Sequence, residues 1–264
     1  MSTPDLTHIR HLLLDMDGTL YLGRRLFDAT PAFLAGLARR GIGYLLMTNN
    51  SSQDAAAYSE RLAGLGLAVP PDRIFTSGEA TTIYLRETLG EGAALFVMGT
   101  PTFEAEMRRA GFRLVDQDAA CVVLGFDKTL TYDKVRRACR EIRNGARFVT
   151  SHPDLNCPTE DGPIPDTGSM AAMITAATGV EPVAVGKPRP LMAHTALKRL
   201  NARADETAIV GDRLYTDMRL GLDAGLTAVL VLSGETQESD LADTPFRPHH
   251  VFPSIAELGA ALGL

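Results

Sequence analysis

A chain of 264 residues with 45% hydrophobic residues has enough apolar material for one large or two modest globular domains. Its net charge of −6 offers no global basic footprint for nucleic acid, and no apolar run approaches the roughly 18 residues needed to span a bilayer. Cys121, Cys139 and Cys157 lie far apart with no C-x-x-C pair, and residues 1–10 lack the charged-then-apolar layout of a secretory signal, so a reducing, cytoplasmic setting is expected rather than a zinc or disulfide framework.

In chain order, the apolar run 12–14 reads as a short buried strand that stops abruptly at Asp15-Met16-Asp17-Gly18-Thr19. Two carboxylates this close repel each other unless a cation sits with them or one keeps its proton. The pair therefore points to a metal site, an acid–base site, or both. It is not an EF-hand loop, because its glycine comes too early and loop position 12 falls on Leu26. A helix over 31–40 follows, with Pro31 in its first turn and Gly41 beyond its end. A strand over 43–47 runs into Thr48-Asn49-Asn50-Ser51-Ser52, where Ser51 and Asp54 have capping-box spacing for the next helix. A short strand at 74–75 leads to a helix ending near Gly90.

The middle of the chain repeats this alternation. Strands are predicted at 94–98, 121–124 and 147–149, and helices at 102–110 and 132–143 with Thr100 and Thr131 as caps. A Pro/Gly-rich loop, 152–168, precedes a helix ending near Gly179; long loops on a scaffold often carry recognition. Strand 183–185 runs into Gly186-Lys187-Pro188, strand 208–210 into Gly211-Asp212, and strand 228–232 into Ser233-Gly234. His249-His250 reads as a solvated loop, and Arg24-Arg25 as solvent-facing. Strands alternating with amphipathic helices favour an α/β fold with mostly parallel strands.

Four stations stand at strand ends or helix starts: Asp15/Asp17, Thr48, Lys187, and Asp212 with Asp217. In an open parallel sheet that edge is where ligands bind. Taken singly, each has a plain reading as an Asp-Gly turn, a helix cap, a solvated lysine or a helix-terminal acid. In order they resemble the haloacid dehalogenase-like (HAD) phosphohydrolase signature: Asp15-Met16-Asp17-Gly18-Thr19, Thr48-Asn49-Asn50, Gly186-Lys187-Pro188, and Gly211-Asp212-Arg213-Leu214-Tyr215-Thr216-Asp217. The short spacing from Thr19 to Thr48 holds only a hairpin, a helix and a strand. The long spacing from Thr48 to Lys187 leaves room for an inserted domain of roughly 100 residues. The chain thus resembles the type IIA, NagD-like branch, from about Leu12 to Leu262, with further likeness at Thr150–Asp154, Thr167-Gly168-Ser169, Ser233-Gly234 and Phe246-Arg247-Pro248. Asp166 departs from it where relatives often carry Gly.

The resemblance implies a doubly wound, Rossmann-like parallel sheet ordered 3-2-1-4-5, formed by residues 1–79 and 182–264, with an α/β cap at 80–181. It implies a phosphatase acting on a small phosphomonoester such as a sugar phosphate, nucleoside monophosphate or phosphoglycolate. Asp15 would be the nucleophile and Asp17 the general acid and base. Mg2+ would be held by the carboxylates of Asp15 and Asp212 and the backbone carbonyl of Asp17. Thr48, Asn49 and Lys187 would hold the phosphoryl group, and Asp217 would order the metal waters or Lys187 from behind. A homodimer, but no nucleic acid or membrane partner, is expected. The competing readings are a metal-independent dehalogenase, a phosphomutase (for which the chain lacks room between the first two motifs), a non-catalytic phosphate-binding module, and a shorter receiver-type switch.

Overall fold

The computed structural model describes residues 5–159 and 161–264. Residues 1–4, the start of the segment judged for a signal layout, and residue 160 of the 152–168 loop lie outside the described residues. The chain divides into two compact units: the first comprises the chain up to Thr48, Tyr58–Phe75 and Lys187–Leu264; the second comprises Asn49–Ala57 and Thr76–Gly186. The sequence reading drew its cuts at 79/80 and 181/182 and left residues 49–57 with the first unit.

The first unit is built on a six-stranded sheet. Its strands are β1 (His11–Asp15), β2 (Gly43–Thr48), β3 (Ile74–Thr76), β4 (Thr207–Gly211), β5 (Thr227–Val231) and β6 (His250–Phe252). Their order is β6-β5-β4-β1-β2-β3, which is the expected 3-2-1-4-5 arrangement with a sixth strand added. β1 pairs in parallel with β2 on one side and β4 on the other, so it sits at the centre. Leu12, Leu13 and Leu14 are buried on both faces, which is why the strand reads as a continuous apolar run rather than an alternation. β6 corrects the reading of His250 as loop, since His250 opens the strand, while His249 stays exposed in the bend before it, its Nδ1 accepting the Ala228 N–H at 2.9 Å. Three residues with an exposed Val251 give no periodicity to read. The helix Pro190–Leu200 also went unmarked; Pro190 opens it and Asn201, at φ 51°, ends it.

The second unit carries a five-stranded sheet of parallel pairs, ordered Val183–Ala184, Arg147–Thr150, Cys121–Leu124, Ala94–Met98, Arg113–Leu114. Helices Tyr132–Arg143 and Thr167–Thr178 bury Ile142 and Ile174 against Phe96, Val122 and Phe148 of this sheet. Thr100 and Thr131 cap their helices as expected, accepting the N–H groups of Phe103 and Lys134. Ser51 does not cap. Asp54 Oδ1 accepts from Ala57 N, and Ser51 Oγ instead bonds Ser151 Oγ at 2.8 Å and the Phe126 N–H at 2.9 Å. The capping box expected from Ser51 and Asp54 is thus replaced by a cap from Asp54, the acid next to the helix. Among the described residues, no helix is long and apolar enough to cross a membrane.

Candidate active site

Parallel pairing decides which side chains meet. Leu14 of β1 is the register partner of Val210 of β4, so Asp15 and Asp212 leave adjacent strands at the same sheet edge. Neighbouring strands lie about 4.8 Å apart, close enough for two carboxylates to share an ion. On the other flank Asp15 pairs with Met47, and the buried Thr48 follows as the last residue of β2. Asp217 arrives from a wide π-helical turn, Leu214–Met218, in which the N–H groups of Asp217 and Met218 both donate to Arg213 O, at 3.1 and 3.2 Å. Lys187 lies just past Gly186, before a cis peptide bond to Pro188. One ligand-type oxygen from each of Asp15, Asp212 and Asp217 lies within 4.8 Å of the others. Lys187 Nζ donates to Asp15 Oδ1 and, at 2.7 Å, to Asp217 Oδ1.

The electrostatics of this cluster are those of an acid excess. Burial pushes the Asp15 carboxyl up to about 7, against the pull of Lys187. Burial pushes Asp212 up to about 8, reinforced by the carboxylates of Asp15 and Asp217 and opposed by the Glu235 N–H. Burial works against the charge of Lys187, yet Asp15 and Asp217 together hold its pKa above the ordinary lysine value. Burial also raises Asp17, against the Gly23 N–H and the Arg61 guanidinium.

These residues fit a divalent cation. The donors are oxygens, as hard ions require. Asp212 Oδ1 is buried with no hydrogen-bond partner among the described residues, an arrangement that costs free energy unless a positive charge meets it. Space for the Asp212 carboxylate exists because two neighbours lack side chains: a Cβ at Gly18 or at Gly234 would land on it. Gly18 also sits at φ 87°, in the left-handed region that favours glycine.

Ser233-Gly234 reads in the sequence only as a strand end and a point of likeness, and Glu235 and Thr236 beside it carry no pattern of their own. Ser233 Oγ donates to Gly18 O at 2.7 Å, Glu235 N donates to Asp212 Oδ2 at 2.7 Å, and Thr236 N donates to Asp212 O at 3.2 Å. The segment after β5 thus fixes both the first and last stations. Its signal was available in principle, because Ser233-Gly234 ends a strand as the other stations do. Arg213 pairs with Glu235 at 2.9 Å, and Tyr215 Oη donates to Glu235 at 2.8 Å, contacts with no local pattern to announce them.

Asn49 groups with the second unit. Its Nδ2 donates to both Asp154 oxygens at 3.1 Å, and Ser77 Oγ donates to its carbonyl. His152 Nε2 lies 2.9 Å from Thr167 Oγ1 and 3.5 Å from Asp166 Oδ1. Asp166, the departure noted in the sequence, caps the helix Thr167–Thr178 by accepting from Thr167 N at 2.6 Å. His152, Asp154 and Asp166 also lie within ion-holding distance of one another. Here, however, both carboxylates already accept hydrogen bonds from neutral donors inside the unit.

Residues 12–113 match the family model of haloacid dehalogenase-like hydrolases, and residues 184–258 match a second, HAD-hydrolase-like model. A dihydroxyacetone phosphatase of Corynebacterium glutamicum is 40% identical over 93% of this chain and 89% of its own length. The ribonucleotide monophosphatase NagD of Escherichia coli is 35% identical over 95% of this chain and 98% of its own length. The crystal structure of a 4-nitrophenylphosphatase from Thermotoga maritima superposes with a TM-score of 0.94 at 39% identity, covering 97% of this chain and 98% of that one.

Proposed function

The chain belongs to the haloacid dehalogenase-like hydrolase family, in its type IIA, NagD-like branch, and from that premise we propose a Mg2+-dependent phosphatase working through an aspartyl-phosphate. It is a phosphomonoester hydrolase. Asp15 attacks phosphorus, the bond from phosphorus to the ester oxygen breaks, and Asp17 gives its proton to the departing alkoxide. Water then attacks the aspartyl-phosphate, Asp17 takes its proton, and inorganic phosphate leaves with Asp15 restored. Lys187, Thr48 and the backbone amide of Asn49 hold the phosphoryl oxygens. Asp217 keeps Lys187 in place through the 2.7 Å ion pair. The carboxylates of Asp15 and Asp212 and the carbonyl of Asp17 would hold the ion. When bound, it offsets the repulsion between a carboxylate nucleophile and an anionic phosphate.

The single observation that carries this reading is the convergence of Asp15, Lys187, Asp212 and Asp217, distant in sequence, at one end of the β1–β4 pair. We read the second unit as the inserted cap, which would restrict the enzyme to small esters in a cytoplasmic setting. The relatives' substrates suggest triose phosphates and nucleoside monophosphates as the classes to test. The experiment is a screen of small phosphate esters, 4-nitrophenyl phosphate among them, with Mg2+ and after EDTA. Phosphate release that EDTA abolishes and Mg2+ restores is expected. Halide release from haloacids that ignores EDTA, with no phosphate release, would overturn the proposal in favour of a dehalogenase.

A further inference from the structure

Arg213 poses a problem for a cation site. It follows Asp212 directly, its side chain is only 14% exposed, and its charge acts on both Asp15 and Asp212. In a poorly solvated pocket a guanidinium raises the cost of seating a second cation. Without Arg213, the three carboxylates of Asp15, Asp212 and Asp217 and the ammonium of Lys187 leave two negative charges, matched to a divalent ion. Adding the charge of Arg213 leaves one.

Glu235 answers this. One of its oxygens takes the Arg213 Nε–H at 2.9 Å and the other takes the Tyr215 hydroxyl at 2.8 Å. Its own backbone N–H donates to Asp212 Oδ2, so the residue that cancels the arginine also orients the carboxylate whose Oδ1 has no partner. Gly234, beside it, stands where any side chain would strike Asp212. We propose that Glu235 is a positioning residue for the cation: its carboxylate clamps the 233–236 segment to Arg213 and Tyr215, and its charge preserves the acid excess that Mg2+ requires. The inference rests on the cation reading of Asp15 and Asp212.

The test is Mg2+ binding to the full chain, stripped of metal and titrated calorimetrically without substrate. Glu235→Gln keeps an acceptor for Tyr215 and removes the charge; Mg2+ affinity is expected to fall roughly tenfold, with the melting temperature close to wild type because Glu235 is half exposed. Tyr215→Phe loses one hydrogen bond and no charge, so a smaller change, about twofold, is expected. The double variant R213Q/E235Q removes both charges and should recover most of the affinity lost in E235Q. An E235Q protein that binds Mg2+ as wild type does overturns the proposal. A double variant as weak as E235Q overturns the charge-cancelling role. Wild-type protein that binds no Mg2+ removes the cation reading itself and this inference with it.

Discussion

Asp127 in the second unit and Asp212 in the first both follow the end of a buried parallel strand, and both are almost fully enclosed. Their surroundings differ. Asp127 accepts from Lys134 Nζ at 2.7 Å and from the Thr129 N–H and hydroxyl at 2.8 and 2.7 Å, so one acid meets one base with its hydrogen bonds closed. Asp212 makes no salt bridge among the described residues, shares its pocket with Asp15 and Asp217, and keeps Oδ1 without a hydrogen bond from them. A closed acid–base pair is costly to break from one side, because the partner left behind is an uncompensated charge. An acid excess around one lysine is a cost to the fold that a bound cation or a retained proton relieves, and it supports the first unit's sheet edge as the proposed chemical one.

The largest way to break this contrast is at Asp15. Asp15→Asn is expected to lower turnover of 4-nitrophenyl phosphate by about a thousandfold or more while the circular dichroism spectrum stays native. Unchanged turnover would remove the proposed nucleophile. Asp17→Asn retains its carbonyl, so calorimetric Mg2+ binding should persist while turnover drops by about a hundredfold, the usual worth of a general acid. Loss of metal binding together with activity would mean that the Asp17 side chain serves the ion rather than the proton.

A matched pair of substitutions sharpens the comparison directly. Asp212→Asn removes one of three crowded charges, so the metal-stripped protein should melt roughly 2–4 °C higher while losing Mg2+ binding. Asp127→Asn takes the counter-charge from Lys134, leaving its bonds to Gly99 O and Thr129 Oγ1, and should lower the melting temperature by about 2–10 °C, the equivalent of about 1–3 kcal/mol, with Mg2+ affinity unchanged. The same chemical change thus carries opposite signs in the two units; equal signs would dissolve the distinction. A pH effect on stability, with no bearing on turnover, concerns Glu106 in the second unit, whose carboxyl burial pushes up to about 8, with Asp54 and Glu79 adding to it. Its folded pKa lies above the ordinary 4.5, so the folded state holds the extra proton between those values. Stability from this group is present below about 4.5 and is lost as pH rises through about 8. Chemical denaturation across that window should show the slope, and Glu106→Gln should flatten it.

Much of this was legible in the chain because the stations sit where a strand ends. An apolar run followed by Asp15, Thr48 or Asp212 carries its own address, and parallel pairing then needs only the strand order to bring the residues together. What escaped reading lacked such local signals. β6 has three residues and an exposed face, so pairing with β5 rather than periodicity defines it. Asn49–Ala57 groups with the second unit through Ser51–Ser151, Asn49–Asp154 and Thr100–Ser52 hydrogen bonds, each between residues roughly fifty to a hundred positions apart. The Arg213–Glu235–Tyr215 contacts are of the same kind: no spacing rule anticipates a clamp between two loops. Asp166 was noticed as an irregularity, and its function as a helix cap needed the helix start in view.

The placement of β1 between β2 and β4 has a consequence for biosynthesis. One hydrogen-bonding edge of β1 is met by residues 43–48 soon after they emerge, but the other waits for residues 207–211. All strands of the second sheet, spanning 94–184, leave the ribosome in that interval. A nascent or truncated chain ending near residue 186 therefore carries a bare, apolar strand edge, the feature that templates aggregation.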